Sequence, residues 1–389
     1  MRGTVQIVYV TETYPPEVNG VALTTARAVA HLRGAGHRVQ LVRPRQRGEA
    51  RRDDADEWRC PGGPIPMYPE LRYGLATQGA LRRRWRTLAP ALVHVATPGP
   101  LALAALSAAR AEGIPTSADF RTNFHAYSRH YRLGWLEPLV LRWLRRLHDQ
   151  ADCNFVPTPT LAAELAAAGF SRLAVSGRGV DATLFDPARR DPALRRRWGA
   201  ADGDTVLLHV GRLAAEKNVA LALKAWERQR LQRPGLRMVV VGDGPQRAAL
   251  QRAHPQAAFV GVHTGEALAA HYASADAFAF PSLTDTFGNV TLEALASGLA
   301  YAAFDTAAAA VHVVDGHNGW LARPGDVAGF ETALGAALDQ AAPGSALRRR
   351  ARETALAADW SAVLQRFESA LRGVAERRPA GAVADAALA

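Results

Sequence analysis

The strongest constraint on the fold is a repeated order of short apolar strands and amphipathic helices. An apolar run at Val5–Val10 precedes helical spacing over Val21–Leu32, and a second strand follows at His37–Val42. Residues 44–80 lack a clear pattern and are predicted to be irregular. Strands at Leu92–Val95 and Ile114–Ala118 continue the order, and a second set begins with the strand at Val206–Val210. Buried strands that alternate with helices are typical of a parallel sheet covered on both faces. We therefore predict an α/β protein.

The length and one turn-rich segment set the predicted domain boundaries. A chain of 389 residues can form two domains, each with its own core. We assign residues 1–180 to an N-terminal Rossmann-like domain, 181–204 to a linker and 205–360 to a C-terminal Rossmann-like domain. A closing helix over 361–376 and a frayed tail over 377–389 complete the chain. Two such domains in tandem bind ligands in the cleft between them, at loops that follow strands.

Positive charge is concentrated in one half of the chain. The net charge is +11, of which residues 1–190 contribute +10 and residues 191–389 contribute +1. The only lysines are Lys217 and Lys224, so the rest of the positive charge is arginine. The arginine and alanine bias is typical of a GC-rich genome, which accounts for part of the excess. A basic N-terminal half of this kind could bind nucleic acid, an anionic membrane or a phosphorylated substrate.

Several cofactor and metal classes do not fit the residues. Cys60 and Cys153 are too far apart for a zinc motif or a disulfide framework. Neither lysine follows a glycine as a Walker A motif requires, and Arg247 stands at the third glycine position of a Rossmann fingerprint. We predict no metal and no cofactor. The opening apolar run is a strand rather than a signal peptide, so the predicted location is cytoplasmic.

The first candidate loop follows the strand at Val206–Val210. It contains Gly211 for a sharp turn, and then Arg212 and Lys217 near the start of a helix. Two cations at a helix N-terminus suit a diphosphate. The alternative is a helix-cap salt bridge with Glu216.

The second candidate loop runs from Pro281 to Glu293. Gly288, Asn289 and Val290 would present backbone N–H groups at a helix start, as an anion or sugar-oxygen cradle. Asp285 and Glu293 could face the same ligand, since carboxylates accept hydrogen bonds from sugar or ribose hydroxyls. The alternative is an N-cap aspartate with a surface glutamate.

The loop at Gly211–Asn218 followed by Asp285-x7-Glu293 resembles glycosyltransferase family four, retaining enzymes of the GT-B fold, in which two tandem Rossmann-like domains enclose a cleft. Further matching motifs occur along most of the chain: Pro15-Pro16 with Asn19-Gly20-Val21, Gly34–Val39, Arg121–His125, Gly179–Asp181 with Phe185–Pro187, and Val241–Pro245.

The resemblance implies a nucleotide-diphosphate sugar as donor substrate. Arg212 and Lys217 would hold the diphosphate and stabilise the leaving group in place of a metal. Glu293 would contact the ribose, Asp285 the sugar hydroxyls, and Gly20 would allow backbone to approach the β-phosphate. The implied donor site consists of Gly20, Gly211, Arg212, Lys217, Asp285, Phe287, Gly288, Asn289, Val290 and Glu293.

Some residues depart from the family pattern. The first acid of the usual Glu-x7-Glu is Asp285, and Arg121 stands where a histidine near the anomeric carbon is expected. His125 could compensate, Arg121 could recognise an acidic substrate, or Arg121 could simply pair with a nearby carboxylate. Tyr301 replaces a common proline and Ala307–Ala310 replace common glycines, so the donor sugar is open. The catalytic set is Arg121, His125, Arg212, Lys217 and Asp285.

Two basic segments with aromatic residues, Leu81–Arg86 and Trp135–His148, suit peripheral contact with an anionic membrane. The alternative for each is a core helix with solvated arginines.

Together, the residues and the resemblance predict a retaining, metal-independent hexosyltransferase at the inner face of the membrane. Its donor would be GDP-mannose or a UDP-glucose type, its acceptor a lipid or glycan, with no nucleic acid partner. The alternatives are a sugar-nucleotide epimerase of the same architecture and a basic polyanion-binding protein.

Overall fold

The computed structural model describes residues 3–17, 20–65, 68–120 and 137–377. The chain divides into two compact units. The first comprises the described residues up to Gly177 together with those from Leu364 onward, and the second comprises Arg178–Val363. Within the described residues, no helix combines the length and apolar character needed to cross a membrane.

A parallel sheet forms the centre of the first unit. Its strands are β1 (Gln6–Val10), β2 (Arg38–Pro44), β3 (Glu57–Cys60), β6 (Leu92–Val95), β7 (Thr116–Asp119), β8 (Cys153–Val156) and β9 (Leu173–Val175). They lie in the order β3-β2-β1-β6-β7-β8-β9. Between β3 and β6 in the chain, β4 (Gly62–Ile65) and β5 (Tyr68–Gly74) form an antiparallel pair. The strand order reverses where β1 lies beside β6, and loops at such a point are the usual ligand site of this architecture.

The helices described in the first unit, before its C-terminal segment, are α1 (Gly20–Gly34), α2 (Gln78–Leu88), α3 (Pro100–Ala111), α4 (Glu137–His148) and α5 (Pro159–Ala167). The prediction that residues 44–80 are irregular was wrong, because this stretch contains β3, β4 and β5. The strand β3 is charged and therefore lacks an apolar pattern. Its Glu57 side chain pairs instead with the buried Arg43 of β2, with 2.8 Å between Arg43 Nη2 and Glu57 Oε1.

The second unit also contains a parallel sheet. Its strands are β10 (Thr205–Val210), β11 (Leu236–Val241), β12 (Ala258–Gly261), β13 (Ala277–Phe280), β14 (Ala300–Phe304) and β15 (Trp320–Ala322), in the order β12-β11-β10-β13-β14-β15. Its helices are α6 (Pro192–Arg197), α7 (Val219–Arg230), α8 (Arg247–Ala253), α9 (Gly265–Ser274), α10 (Asn289–Ala296), α11 (Ala307–His312), α12 (Val327–Asp339) and α13 (Ala346–Ala357). The order reverses where β10 lies beside β13.

The segment predicted to be a linker, 181–204, lies in the second unit. Phe185, Leu194 and Trp198 are buried in the same apolar core as β10 and β13. Arg190 and Arg195 each form an ion pair with the buried Asp276, at 2.8 Å. These contacts hold the segment against Asp276, the residue immediately before β13.

One helix, α14 (Trp360–Glu376), begins in the second unit and ends in the first. In the first unit the Phe367 ring packs against the rings of His94 and Phe155, each with 5.3 Å between ring centres. Glu368 accepts from His37 Nε2 at 3.3 Å and lies 2.9 Å from His31 Nε2. The C-terminal helix is therefore part of the core of the first unit.

Candidate active site

The two loops that the sequence singled out lie side by side in the second unit. One follows β10 and the other follows β13, and these neighbouring strands are parallel. They also flank the point where the strand order reverses. Because carboxyl ends of parallel strands meet at one edge of the sheet, the topology brings both loops to the usual ligand-binding edge.

The loop after β10 turns sharply at Gly211, whose φ is +157°. Its carbonyl oxygen lies so close to Gly242 that a Cβ at position 242 would be 1.9 Å from it. Glycine is therefore required at position 242 for the close approach of the loop after β11 to the loop after β10. A 3-10 turn over Ala215–Lys217 follows, and Asn218, with φ of +50°, leads into α7.

Glu216 joins the two candidate loops through its main chain. Its carbonyl oxygen accepts from Leu283 N at 2.9 Å and from Ser282 Oγ at 3.3 Å. Its buried side chain places Oε1 3.9 Å from Arg212 Nη1, at the limit of an ion pair, while 44% of the Arg212 side chain is exposed. Glu216 thus sets the loop geometry, and the Arg212 guanidinium reaches the surface of the unit.

Lys217 and Asp285 form an ion pair between the loops. Their side chains are 15% and 11% exposed, so each charge depends strongly on the other. Lys217 Nζ also lies 5.6 Å from the centre of the Phe280 ring. From the sequence we expected Lys217 to bind the diphosphate and Asp285 to bind the sugar hydroxyls. The structure brings the two side chains into direct contact. Asp285 does not cap α10, whose N-cap residue is Gly288.

Glu293 lies in the second turn of α10 and is half-buried rather than a surface residue. Its Oε2 accepts a hydrogen bond from Tyr272 Oη at 2.9 Å. Burial raises the pKa of Tyr272, which keeps the phenol protonated as a donor. Near the start of α10, the backbone N–H groups of the first helical turn lack intrahelical acceptors, as in any helix, and are candidates for binding a ligand oxygen.

The backbone around Phe287 is held by core contacts. The Phe287 ring is buried, and its carbonyl oxygen accepts from Ala308 N at 2.7 Å. The Arg178 guanidinium lies 5.8 Å from the centre of that ring and donates to Asn289 Oδ1 at 3.3 Å. The buried Phe287 side chain and its backbone carbonyl thus anchor the loop that precedes α10. Sequence reasoning missed Arg178, which precedes the quoted Gly179-Val180-Asp181 motif.

His209, also missed by sequence reasoning, lies buried on β10 beneath this loop pair. Its Nδ1 donates to the Ala279 carbonyl at 2.9 Å, and its ring stacks on Phe280. Burial lowers the pKa of His209 to about 4, so the imidazole is neutral at physiological pH. Sequence reasoning passed over it because a single histidine within a largely apolar strand carries no distinctive spacing.

The structure describes some of the remaining predicted residues and not others. Arg121 and His125 are outside the described residues, and Gly20 is the first residue of α1 in the first unit. Tyr301 is a core residue whose ring stacks on Phe278 at 5.8 Å and whose hydroxyl lies 2.8 Å from Thr291 Oγ1. Ala307–Ala310 form most of α11.

The two basic segments differ in exposure. In Leu81–Arg86, which lies in α2, Leu81 and Trp85 are buried, so this segment presents no large apolar side chain for membrane contact. On α4, by contrast, Leu139 and Trp143 are 55% and 41% exposed.

In α2, Arg82 and Arg86 pair with Glu112, and Arg84 pairs with Asp53. These contacts are those of a core helix with a paired, polar outer face. On α4, Arg142 and Arg146 are exposed beside Leu139 and Trp143, at the spacing of one helix face. We call these four residues the α4 face. Trp135 lies outside the described residues.

Comparison with known proteins agrees with this architecture. The Glycosyltransferase Family 4 model matches residues 18–184, and the Glycosyl transferases group 1 model matches residues 204–340. A GDP-mannose-dependent alpha-mannosyltransferase of Mycolicibacterium smegmatis is 37% identical over 384 residues, 96% of this chain and 98% of that protein. A protein of the same description from Mycobacterium tuberculosis is 36% identical over 76% of this chain and 78% of its own length.

Among solved structures, sucrose-phosphate synthase from Thermosynechococcus elongatus superposes with a TM-score of 0.76 at 17% identity, covering 95% of this chain and 99% of its own. The two Rossmann-like units and this superposition define the GT-B fold. The chain belongs to glycosyltransferase family 4. The predicted family, fold and transferase class are thereby confirmed, and the enzyme uses a nucleotide sugar as donor.

Proposed function

We propose that this enzyme is a GDP-mannose-dependent α-mannosyltransferase that acts with retention of configuration and without a metal ion. The observation that carries the proposal is 37% identity with the Mycolicibacterium smegmatis mannosyltransferase over nearly the full length of both chains. The residues alone left GDP-mannose and UDP-glucose types equal, and the shared description of two relatives favours GDP-mannose. Family membership also favours glycosyl transfer over the epimerase and polyanion-binding alternatives.

In this mechanism Arg212 and Lys217 take the place of a metal. The bond between the sugar C1 and the β-phosphate oxygen breaks, and negative charge develops on the departing GDP. Fixed cations at that position stabilise the transition state more than the ground state, which lowers the barrier. The closeness of Lys217 to Asp285 supports a shared task, with the ammonium on the diphosphate and the carboxylate on sugar hydroxyls.

The remaining groups orient the donor and the acceptor. Glu293, held by Tyr272, would accept from the ribose hydroxyls, and Gly288, Asn289 and Val290 would offer backbone N–H groups. Gly211 would provide the sharp turn after β10, and Gly20, by the family resemblance, would let backbone approach the β-phosphate. The acceptor hydroxyl would attack C1 on the face that GDP leaves, and a phosphate oxygen would take its proton. Arg121 and His125 remain proposed for the surroundings of C1.

We also propose a lipid or glycan acceptor at an anionic membrane surface. The α4 face supports this, because two exposed apolar side chains lie beside two arginines on one helix side. The net charge of +10 in residues 1–190 points the same way. The segment Leu81–Arg86 is withdrawn from this proposal, since its apolar side chains are buried.

A donor panel tests the proposed function. Melting temperatures are measured with GDP, UDP, ADP and their common sugars, each with and without EDTA, alongside transfer from labelled GDP-mannose. A ligand at 100-fold its Kd adds about 2.7 kcal/mol of stability. We expect stabilisation by GDP and GDP-mannose, unaffected by EDTA, and mannose transfer. Stabilisation by UDP-sugars alone would overturn the choice of donor, and no response to any nucleotide would overturn the function.

Substitutions of the two lysines test whether Lys217 belongs to the donor site, with Lys224 as the control. Lys217→Ala and Glu293→Ala should abolish transfer without changing the circular dichroism spectrum. Lys224→Ala, which removes an exposed lysine on α7, should retain wild-type activity. Activity in both Lys217→Ala and Glu293→Ala would show that the donor binds elsewhere.

A further inference from the structure

We propose that Glu12 is a positioning residue that holds the loop between β1 and α1 in its donor-binding arrangement while its carboxylate is ionised. The inference rests on the proposed function, because that loop leads to Gly20, which we assign to the donor diphosphate. Glu12 has no part in the mechanism above and touches no reacting atom.

The main chain of Glu12 lies at the reversal point of the first sheet. It follows β1, and its N–H donates to Thr97 Oγ1 at 2.7 Å in the loop after β6. The strands β1 and β6 are the neighbours between which the strand order reverses. Ligand-binding loops in this architecture start at such a point, so Glu12 lies at the base of the loop expected to meet a substrate.

The side chain extends this link to two further elements. Glu12 Oε1 accepts from Leu101 N in the first turn of α3 at 2.9 Å, and Oε2 accepts from Gly74 N at the end of β5 at 3.3 Å. Each carboxylate oxygen thus faces an N–H donor. A protonated carboxyl group carries its hydrogen on one of these oxygens, and a hydroxyl oxygen accepts an N–H hydrogen bond more weakly than a carboxylate oxygen does. Protonation therefore weakens one of the two connections.

The carboxylate has little room to move away. Glu12 is 6% exposed, and a Cβ built on Gly99 would lie 2.1 Å from its Oε1. Gly99 has extended backbone, with φ of 173°, which any residue can adopt. Glycine is therefore needed at position 99 for space beside the carboxylate and not for its conformation.

The charge state of this group changes in the physiological range. Burial raises the pKa of Glu12 to about 7, against the opposing effect of its backbone hydrogen bonds. Glu12 in turn acts on Cys60 at the end of β3: burial, and to a lesser degree the Glu12 charge, raise the pKa of that thiol to about 12, so the thiol stays neutral. The position of the loop consequently depends on pH near neutrality.

The test is the pH profile of the donor KM in the full-length enzyme. For the wild type, we expect the KM for GDP-mannose to fall about tenfold from pH 6 to pH 8, the effect of one charged hydrogen bond. In Glu12→Gln, the amide N–H₂ group replaces one carboxylate oxygen and faces an N–H donor that it cannot bind. This variant should therefore keep the high KM at both pH 6 and pH 8. Glu164→Gln, an exposed glutamate on α5, is the matched control and should follow the wild type.

A second pair of variants separates positioning from general stability. Gly99→Ala should raise the donor KM about tenfold in the wild type by displacing the carboxylate, while leaving kcat within about twofold. In a Glu12→Ala background the same Gly99→Ala change should have no further effect, because the space is then open. Melting curves confirm that each variant is folded at the assay temperature.

Two results would overturn the inference. One is a Glu12→Gln enzyme with the pH profile of the wild type, and the other is equal, additive effects of Gly99→Ala in both backgrounds. A wild type that binds no nucleotide would instead remove the proposed function and this inference with it. A wild type that transfers mannose with a flat pH profile would overturn the inference and leave the proposed function standing.

Discussion

At the scale of single residues, variants of the ion pair between Lys217 and Asp285 should affect the free energy of unfolding and the transfer activity in different ways. Both side chains are largely buried, so removing one leaves the other charge without its partner. Lys217→Met should therefore destabilise the protein by about 3 kcal/mol. The double variant Lys217→Met/Asp285→Asn should regain most of that stability, because no unpaired charge remains, and should still fail to transfer mannose.

Urea unfolding and a transfer assay measure the two effects independently. Recovery of activity in the double variant would contradict the role of the Lys217 cation at the leaving group. A double variant as unstable as Lys217→Met would show that packing, and not the uncompensated carboxylate, determines the loss.

Glu12 also predicts how stability depends on pH. Its folded-state pKa of about 7 lies above the ordinary value of 4.5, so the folded state holds the proton more tightly than the unfolded chain does. Its contribution is complete below pH 4.5 and is lost as the pH rises through 7. The stability of the wild type relative to Glu12→Gln should therefore fall by at most about 3 kcal/mol between pH 4.5 and pH 8.

This prediction is checked by urea unfolding of both proteins at several pH values. Glu164→Gln serves again as the control, since an exposed carboxyl group should show no comparable trend. A difference between wild type and Glu12→Gln that stays constant with pH would mean that Glu12 titrates at its ordinary value.

At the scale of elements, α4 carries the prediction about membranes. Leu139→Ser/Trp143→Ser should weaken binding to vesicles of phosphatidylglycerol and phosphatidylcholine, because it removes apolar area that enters the interface. It should leave the melting temperature nearly unchanged, since both side chains are exposed. The measurement is vesicle co-sedimentation at low and at physiological salt.

Two comparisons make the vesicle experiment specific. Arg82→Ser/Arg86→Ser in α2 should bind vesicles much like the wild type, because these arginines are already paired with Glu112. Leu144→Ala on the buried side of α4 should destabilise the protein by about 2–5 kcal/mol. Vesicle binding that is unchanged in Leu139→Ser/Trp143→Ser would rule out the α4 face as the contact.

Elements with a strong local pattern could be predicted from the sequence, and those without one could not. The strands β10 and β13 are mostly or entirely apolar, so the loops after them, and with them Arg212 and Asp285, were found in advance. The charged strand β3 and the alanine-rich stretch containing β14 and α11 were missed. Alanine has little preference for strands, and pairing with neighbouring strands decides its structure. Likewise, no local pattern announces that Glu12 meets Leu101 and Gly74, because these contacts form only on folding.

At the scale of the whole molecule, the position of α14 predicts which of the two units a substitution in this helix destabilises. Phe367 is buried in the first unit, although it follows the whole of the second unit in the chain. Phe367→Ala should cost about 3–5 kcal/mol. Hydrogen exchange should accelerate in β1, β6 and β8, with much smaller changes in β10 and β13.

The comparison variant is Phe330→Ala, which removes a buried ring on α12 in the second unit. It should accelerate exchange in the second sheet and spare the first. Equal acceleration throughout the chain in both variants would mean that the two units unfold together, and not as separate cooperative bodies.

The path of α14 has a consequence for recombination between relatives. Because the chain leaves the first unit after Gly177 and returns to it at Leu364, the second unit is, among the described residues, an insertion within the first. A chimera joined at one crossover near residue 178 would combine a first unit with another enzyme's final helix. Exchanging donor specificity between family members should therefore require two crossovers, one at each end of the inserted unit, so that Phe367 and Glu368 keep the residues that they contact in the first unit.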